Sequence, residues 1–157
     1  MTVLLTLLVA AQVSPPCAAG SLGGTFAAIP GSAGAGNIVY ALTVRNVSKR
    51  SCFLTGIPGV RLLDRSSRLL PTHVRPAHPG ALTAVRVELA PGRTARATAR
   101  FSPDVPGPGE PVRGRCEAVA YRLRVTPNGG GTLSAPIRPP TPVCEHGTMT
   151  WTVLTRR

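Results

Sequence analysis

The stretch NVSKRSCFLTGIPGVRLLD, residues Asn46–Asp64, decides the fold that we expect for this chain. It begins where a strand-like run ends, passes through polar residues and reaches a cysteine, Cys52. Glycine and proline follow, and these residues supply turn backbone that other residues resist. The turn consists of Gly56, Pro58 and Gly59, and the next strand begins at Val60. We therefore expect Cys52 to anchor a connector between two sheets through a disulfide.

Strand patterns lie on both sides of this stretch. Thr94–Phe101 alternates alanine and phenylalanine with threonine and arginine, the period-two pattern of a half-buried antiparallel strand. Similar runs are Ile38–Val44, Val60–Leu63, Val85–Leu89, Val119–Val125, Thr132–Ile137 and Thr148–Leu154. The expected inward residues in the clearest runs are Tyr40, Leu42, Val119, Tyr121, Leu123, Met149, Trp151 and Val153. About seven short strands separated by turns predict an all-β, immunoglobulin-like β-sandwich.

Composition agrees with one β-rich domain. The chain has 157 residues, 43% of them hydrophobic, and its 17 glycines and 17 prolines break up long helices. The formal net charge is +12, and Lys49 is the only lysine among 18 basic residues. Such a charge attracts polyanions at low salt but specifies no nucleic acid. An arginine bias of this kind also follows from a GC-rich genome.

The first residues predict export. Val3–Ala11 is an apolar run of signal-peptide length, far short of a membrane span, with small residues suited to cleavage after Ala11. No basic residue precedes the run, so residues 1–11 would be an atypical signal peptide, followed by one domain over 12–157. The alternative is the buried first strand of a cytosolic protein. We expect a secreted or cell-envelope location.

Four cysteines support that location, because an even number without CxxC spacing suggests disulfides. Three pairings are open from the sequence. We expect Cys17 with Cys52 and Cys116 with Cys144, since neighbours along the chain close two loops of similar size.

No pattern predicts catalysis or a cofactor. The acidic residues form no acid/base motif, and no serine lies in a G-x-S-x-G context. The segment CEHGTM offers Cys144, His146 and Met149, soft ligands of the kind copper prefers. Disulfide bonding and burial of Met149 are the stronger interpretation there. We expect no metal and no enzyme activity.

Two surfaces are candidates for recognition. Arg96 and Arg100 share one strand face, and Arg122 and Arg124 share another, so if both strands lie in the same sheet the two stripes would merge into an anion-binding patch. The alternative is that they are ordinary solvent-facing positions. The segment of residues 65–84 is the longest connection, and such loops either carry recognition or vary because they are exposed.

A family resemblance rests on the opening stretch together with VELAPGRTARATARF and YRLRVTPNGG. Asn46, Ser48, Cys52, Leu54, Gly56, Pro58 and Val60 form an N-x-S…C-x-L-x-G-x-P-x-V signature. With it, residues 17–156 resemble the secreted actinobacterial family known as domain of unknown function 4232. The resemblance implies an exported or envelope-attached β-sandwich and assigns no activity.

These observations predict a non-catalytic, monomeric, exported or envelope-associated binding or structural module. Its partner would be an extracellular or envelope protein or an anionic polymer. The alternative is a secreted inhibitor or accessory subunit that acts through the segment of residues 65–84.

Overall fold

A computed structural model describes residues 13–80 and 85–157. The expected signal peptide and residues 81–84 lie outside the described residues. Within them the chain is all-β, as predicted, and the two expected disulfides are present, Cys17–Cys52 and Cys116–Cys144. The strands are β1 Leu22–Ala28, β2 Ile38–Asn46, β3 Cys52–Thr55, β4 Gly59–Leu63, β5 His73–Pro76, β6 Arg86–Leu89, β7 Thr94–Phe101, β8 Ala120–Thr126, β9 Leu133–Thr141, β10 Thr148–Trp151 and β11 Thr155–Arg156.

Most of the strands form one sheet that nearly closes on itself. Its order is β4-β8-β9-β1-β2-β7-β10-β5, with β11 paired to β7, while β3 and β6 form a separate two-stranded sheet. The two ends of the order meet just before β5, where the Leu70 N–H donates to the Leu62 carbonyl (2.9 Å). The Leu62 N–H in turn donates to Thr72 Oγ1 (2.9 Å). These bonds cover backbone groups that an open sheet edge would expose.

The seven expected strands are all present, and the structure adds β1, β3, β5 and β11. These additions lack a clear period-two signal. β1 contains two adjacent glycines, β5 is exposed at all four positions, and β11 has two residues. The immunoglobulin-like arrangement of two stacked sheets stays a prediction, because strand pairing describes a nearly closed sheet and a small second one.

One core fills the space inside the sheet. Trp151 is fully buried and stacks on Phe26 at 5.5 Å, and Tyr40 contacts both Phe26 and Phe101. The expected inward alanines of β7 are also buried, at Ala95, Ala97 and Ala99. The aromatic residues therefore form a continuous chain through a core otherwise made of aliphatic side chains.

Two details of the expected inward faces are wrong, each because the strand is irregular. Ala120 is fully buried, whereas Val119 and Tyr121 are only partly buried, because a bulge shifts the register between Ala120 and Arg122. Such a bulge reverses the alternation on one side of it. At the end of the chain, Leu154 is buried and Val153 is not.

The Asn46 side chain organises the connector between β2 and β3. It is fully buried, and its Nδ2 donates to the carbonyls of Arg50 (2.7 Å) and Leu89 (2.9 Å). Its Oδ1 accepts from the N–H and the hydroxyl of Ser48. The N-x-S part of the signature is therefore a hydrogen-bonded turn that joins β2 to β6.

Cys52 and Gly56 follow that turn as expected. The Cys17–Cys52 disulfide fixes the segment before β1 against β3, where the Cys17 N–H also donates to the Phe53 carbonyl (2.8 Å). Gly56 has a left-handed φ of 63°, which glycine adopts readily. Gly59 has no such backbone and begins β4, so only the first glycine is needed for the turn.

Candidate functional site

An apolar groove lies where β10 ends, and we call it the Trp151 groove. Its volume is about 580 Å³, within the range of small-molecule sites. Residues from separate parts of the chain line it, among them Ile29, Ile57, His78, Arg96, Trp151 and Val153. None of the described residues lining the groove is acidic. The groove is therefore an apolar space whose charged and titratable side chains are basic.

A β-bulge accompanies this groove. Trp151 pairs with Ala99 and Thr155 pairs with Arg96, so three residues of one strand face two of the other between these pairs. The extra residue explains why Leu154, rather than Val153, enters the core. Thr152 keeps the two strands together, because its N–H donates to the Thr98 carbonyl (2.9 Å) and its Oγ1 accepts from the Thr98 N–H (2.8 Å). Val153 is left half-buried in the groove wall.

Two N–H groups of groove residues have no hydrogen-bond partner among the described residues. They are Trp151 Nε1 and Arg96 Nε, and they are the only buried side-chain nitrogen or oxygen atoms of the described chain in that state. Buried polar groups are nearly always paired in folded proteins, because an unpaired one costs about 1–3 kcal/mol. Both residues line the groove, where the Arg96 guanidinium is the charged donor for an acceptor oxygen.

A second cluster surrounds the buried carboxylate of Glu110. This carboxylate accepts three backbone N–H groups, from Gly107 (2.7 Å), Glu145 (2.8 Å) and His146 (2.5 Å). Burial alone would raise the pKa of Glu110, but these donors together hold it below its usual value. Glu145 and His146 have left-handed φ angles of 55° and 54°, which L-residues adopt at a cost. The carboxylate stabilises that backbone by accepting the N–H groups of both residues.

His146 completes this cluster. Its Nε2 hydrogen-bonds the Pro108 carbonyl (2.9 Å), and its Nδ1 lies 3.8 Å from Glu110 and 3.5 Å from Glu117. The pKa of His146 is raised, first by the Pro108 bond and then by the two carboxylates. The pKa of Glu117 is raised by burial and by the nearby Glu110. The cluster is thus an ion-pair network beside the Cys116–Cys144 disulfide.

The sequence interpretation considered a soft-metal site at Cys144, His146 and Met149. Cys144 is disulfide-bonded and Met149 is fully buried in the core. The ligand atoms that do converge belong to Glu110, Glu117 and His146, within 4.8 Å of one another. Both Glu110 oxygens already accept backbone N–H groups, which favours the ion-pair interpretation. The approach of Glu110 to His146 had no sequence signal, because 36 residues separate them.

The four predicted patch arginines are not brought together. β7 carries Arg96 and Arg100, β8 carries Arg122 and Arg124, and three strands lie between β7 and β8 along the sheet. At about 4.8 Å per strand, the two stripes are roughly 19 Å apart along the sheet. Arg124 instead faces Arg61 across the β4–β8 pair, and Arg122 bonds Ser67. Anion binding by either pair stays a prediction.

The described part of the segment of residues 65–84, which is residues 65–80, contributes one strand to the sheet. Its β5 pairs in parallel with β10, which brings His73 opposite Thr148. Leu69 is 60% exposed and Val74 is 37% exposed, so the segment presents apolar side chains to solvent. His73 and His146 also line a second cavity of about 390 Å³. Within residues 13–80 and 85–157, no helix is long and apolar enough to cross a membrane.

Comparison with known proteins gives a match at the level of a family. The family model described as "Domain of unknown function (DUF4232)" matches residues 17–155. No curated protein and no solved structure matches.

Proposed function

We propose a function from the premise that this chain belongs to the DUF4232 family, a family of unknown function. The protein is a non-catalytic binding module that works outside the cytoplasm, in the cell envelope or secreted. Two disulfides support that location, because such bonds persist in oxidising compartments. The atypical signal peptide of residues 1–11 would direct export.

The Trp151 groove is the observation that carries the binding role. It is apolar, of ligand-binding size, and lined in part by residues of β7, β10 and β11. Its described lining contains basic and hydroxyl side chains but no carboxylate or thiol, a composition suited to an anionic ligand. We infer that the module presents this groove to a component of the envelope.

The test is retention of the purified, oxidised protein on isolated cell envelope. Val153→Tyr places a bulky uncharged side chain in the groove wall and should reduce retention about tenfold. Val112→Tyr makes the same change at a site that is 87% exposed and outside the groove lining, and should bind like the parent. Equal retention of the two variants would contradict a groove-based role. Recovery of the native protein from the cytoplasm with four free thiols would contradict the location.

A second candidate function is an inhibitor or accessory subunit that uses the segment of residues 65–84. The exposure of Leu69 and Val74 in this basic segment favours it, since exposed apolar side chains can meet a partner protein. Replacing both by serine should abolish partner binding if this surface is used and leave groove-dependent retention unchanged.

For the fold, we keep the immunoglobulin-like sandwich as a proposal. The mainly antiparallel strands around a single core are consistent with two facing layers joined at their edges by the Leu62–Leu70 contact. An experimental structure compared with sandwich and closed-sheet proteins would decide between these arrangements.

A further inference from the structure

Three properties of the Trp151 groove indicate the kind of ligand that fits it. Its walls include the apolar side chains of Ile29, Ile57 and Val153. Its charged group is the Arg96 guanidinium. Its described lining offers no carboxylate to pair with that cation. A molecule that fits has an apolar body and a negatively charged end.

The unpaired Arg96 Nε narrows the chemistry of that end. It is a donor only, so it needs an acceptor oxygen. A guanidinium binds a carboxylate with charge-assisted hydrogen bonds about twice as strong as neutral ones. An amine or ammonium group would bring further donors and a like charge, and an alcohol would supply an acceptor without charge.

We propose that the Trp151 groove binds a small organic carboxylate with an apolar tail, and this inference rests on the binding role proposed above. The carboxylate pairs with the Arg96 guanidinium, and the tail lies against Ile29, Ile57 and Val153. Arg96 Nε is shielded from solvent in the free protein. Binding therefore includes an outward rotation of the flexible Arg96 side chain, which brings its guanidinium donors to the ligand oxygens.

The chain carries its own reporter for this event, because Trp151 is its only tryptophan. The test is a fluorescence titration of the oxidised protein with octanoate, using octanol and octylamine as neutral and cationic probes of the same tail length. Octanoate should give a saturable change in Trp151 emission and bind about tenfold more tightly than either other probe, as expected for a charge-assisted bond. No saturable change with octanoate, or equal binding of octanol or octylamine, overturns the proposal.

Two arginine variants provide the matched comparison. Arg96→Gln should weaken octanoate binding about tenfold and bring it close to that of octanol. Arg100→Gln removes the same charge four residues along β7, outside the groove lining, and should bind octanoate like the parent. Equal losses in the two variants would show a non-specific charge effect and overturn the assignment. If Arg96→Gln melts far below the parent, the comparison of the three probes on the parent still decides.

The outcome is separable from that of the envelope experiment. If Val153→Tyr loses envelope retention but the parent protein does not bind octanoate, the proposed binding role stands and the proposed ligand class is refuted. If the parent protein binds octanoate but Val153→Tyr is retained on the envelope like the parent, the ligand class is supported and the envelope role of the groove is refuted.

Discussion

Replacing Asn46 by alanine should destabilise the protein by about 3 kcal/mol, because a buried four-bond hub would be lost. The amide donates to the Leu89 and Arg50 carbonyls and accepts both donors of Ser48. Leu89 is fully buried, so loss of the donor to its carbonyl should cost about 1–3 kcal/mol. The other three bonds of Asn46 lie near the exposed Arg50, where water can take the place of the lost amide. Each of them should therefore contribute only about 0.5 kcal/mol.

The Asn46→Asp variant separates hydrogen bonding from shape. A carboxylate of the same size would place a charged oxygen against the two carbonyls that now accept from Nδ2. We expect N46D to be less stable than N46A at pH 7. Because the introduced carboxyl would have a raised pKa in the folded state, the deficit should shrink as the pH falls towards 4.

The assay is urea unfolding of the oxidised variants, followed by Trp151 fluorescence. A loss of 3 kcal/mol corresponds to a decrease in Tm of roughly 10 °C for a domain of this size. Ser48→Ala is the control, since it removes only the hydroxyl bonds of a partly exposed residue and should cost less than about 1 kcal/mol. A change below 1 kcal/mol for N46A, or equal stability of N46A and N46D from pH 4 to 7, would refute this role of Asn46.

Four further predictions concern the disulfide, the core and the acidic cluster. Cys144→Ala should cost about 2–5 kcal/mol in urea unfolding, because it opens a bridge that spans 28 residues; parental stability would contradict this. Trp151→Ala should cost about 3–5 kcal/mol by thermal melting followed by circular dichroism, since the ring is fully buried against Phe26. Glu110→Gln should lower stability by about 2 kcal/mol at pH 7, whereas Glu117→Gln, which removes a carboxyl of raised pKa, should not; equal losses would refute the central role of Glu110. The raised pKa of His146 means that its contribution is present at low pH and lost as the pH rises through that pKa, so the stability gap to His146→Asn should narrow as the pH rises above the usual histidine pKa.

Much of the strand layout was accessible from the sequence. The period-two run Thr94–Phe101 coincides with β7, and its alanines are buried as expected. Such runs are legible because a strand with one buried face must alternate, whatever its neighbours are. The disulfide partners were also predicted, because loops between neighbouring cysteines are compact.

The candidate site was much less accessible. Arg96 was assigned to a surface patch and Trp151 to the core, and no pattern linked them to Ile29 or Ile57. Their proximity depends on β10 and β11 both pairing with β7, with the bulge between them. A bulge adds one residue without a required residue type, so the expected inward position of Val153 was wrong.

The sequence by itself therefore determined that this protein is a β domain with turns at its glycines, two disulfides and a strongly basic surface. Local patterning decides the strands and turns, and composition decides the rest, since the even number of cysteines indicates disulfides and the excess of arginine sets the charge. Only the tertiary structure decided the closure of the sheet at Leu62 and Leu70, the burial of Glu110 beneath a left-handed turn, and the groove at Trp151. These features depend on hydrogen bonds and packing between segments that are distant in the sequence. Because almost every residue offers a backbone donor and acceptor, the sequence does not show which of them will pair.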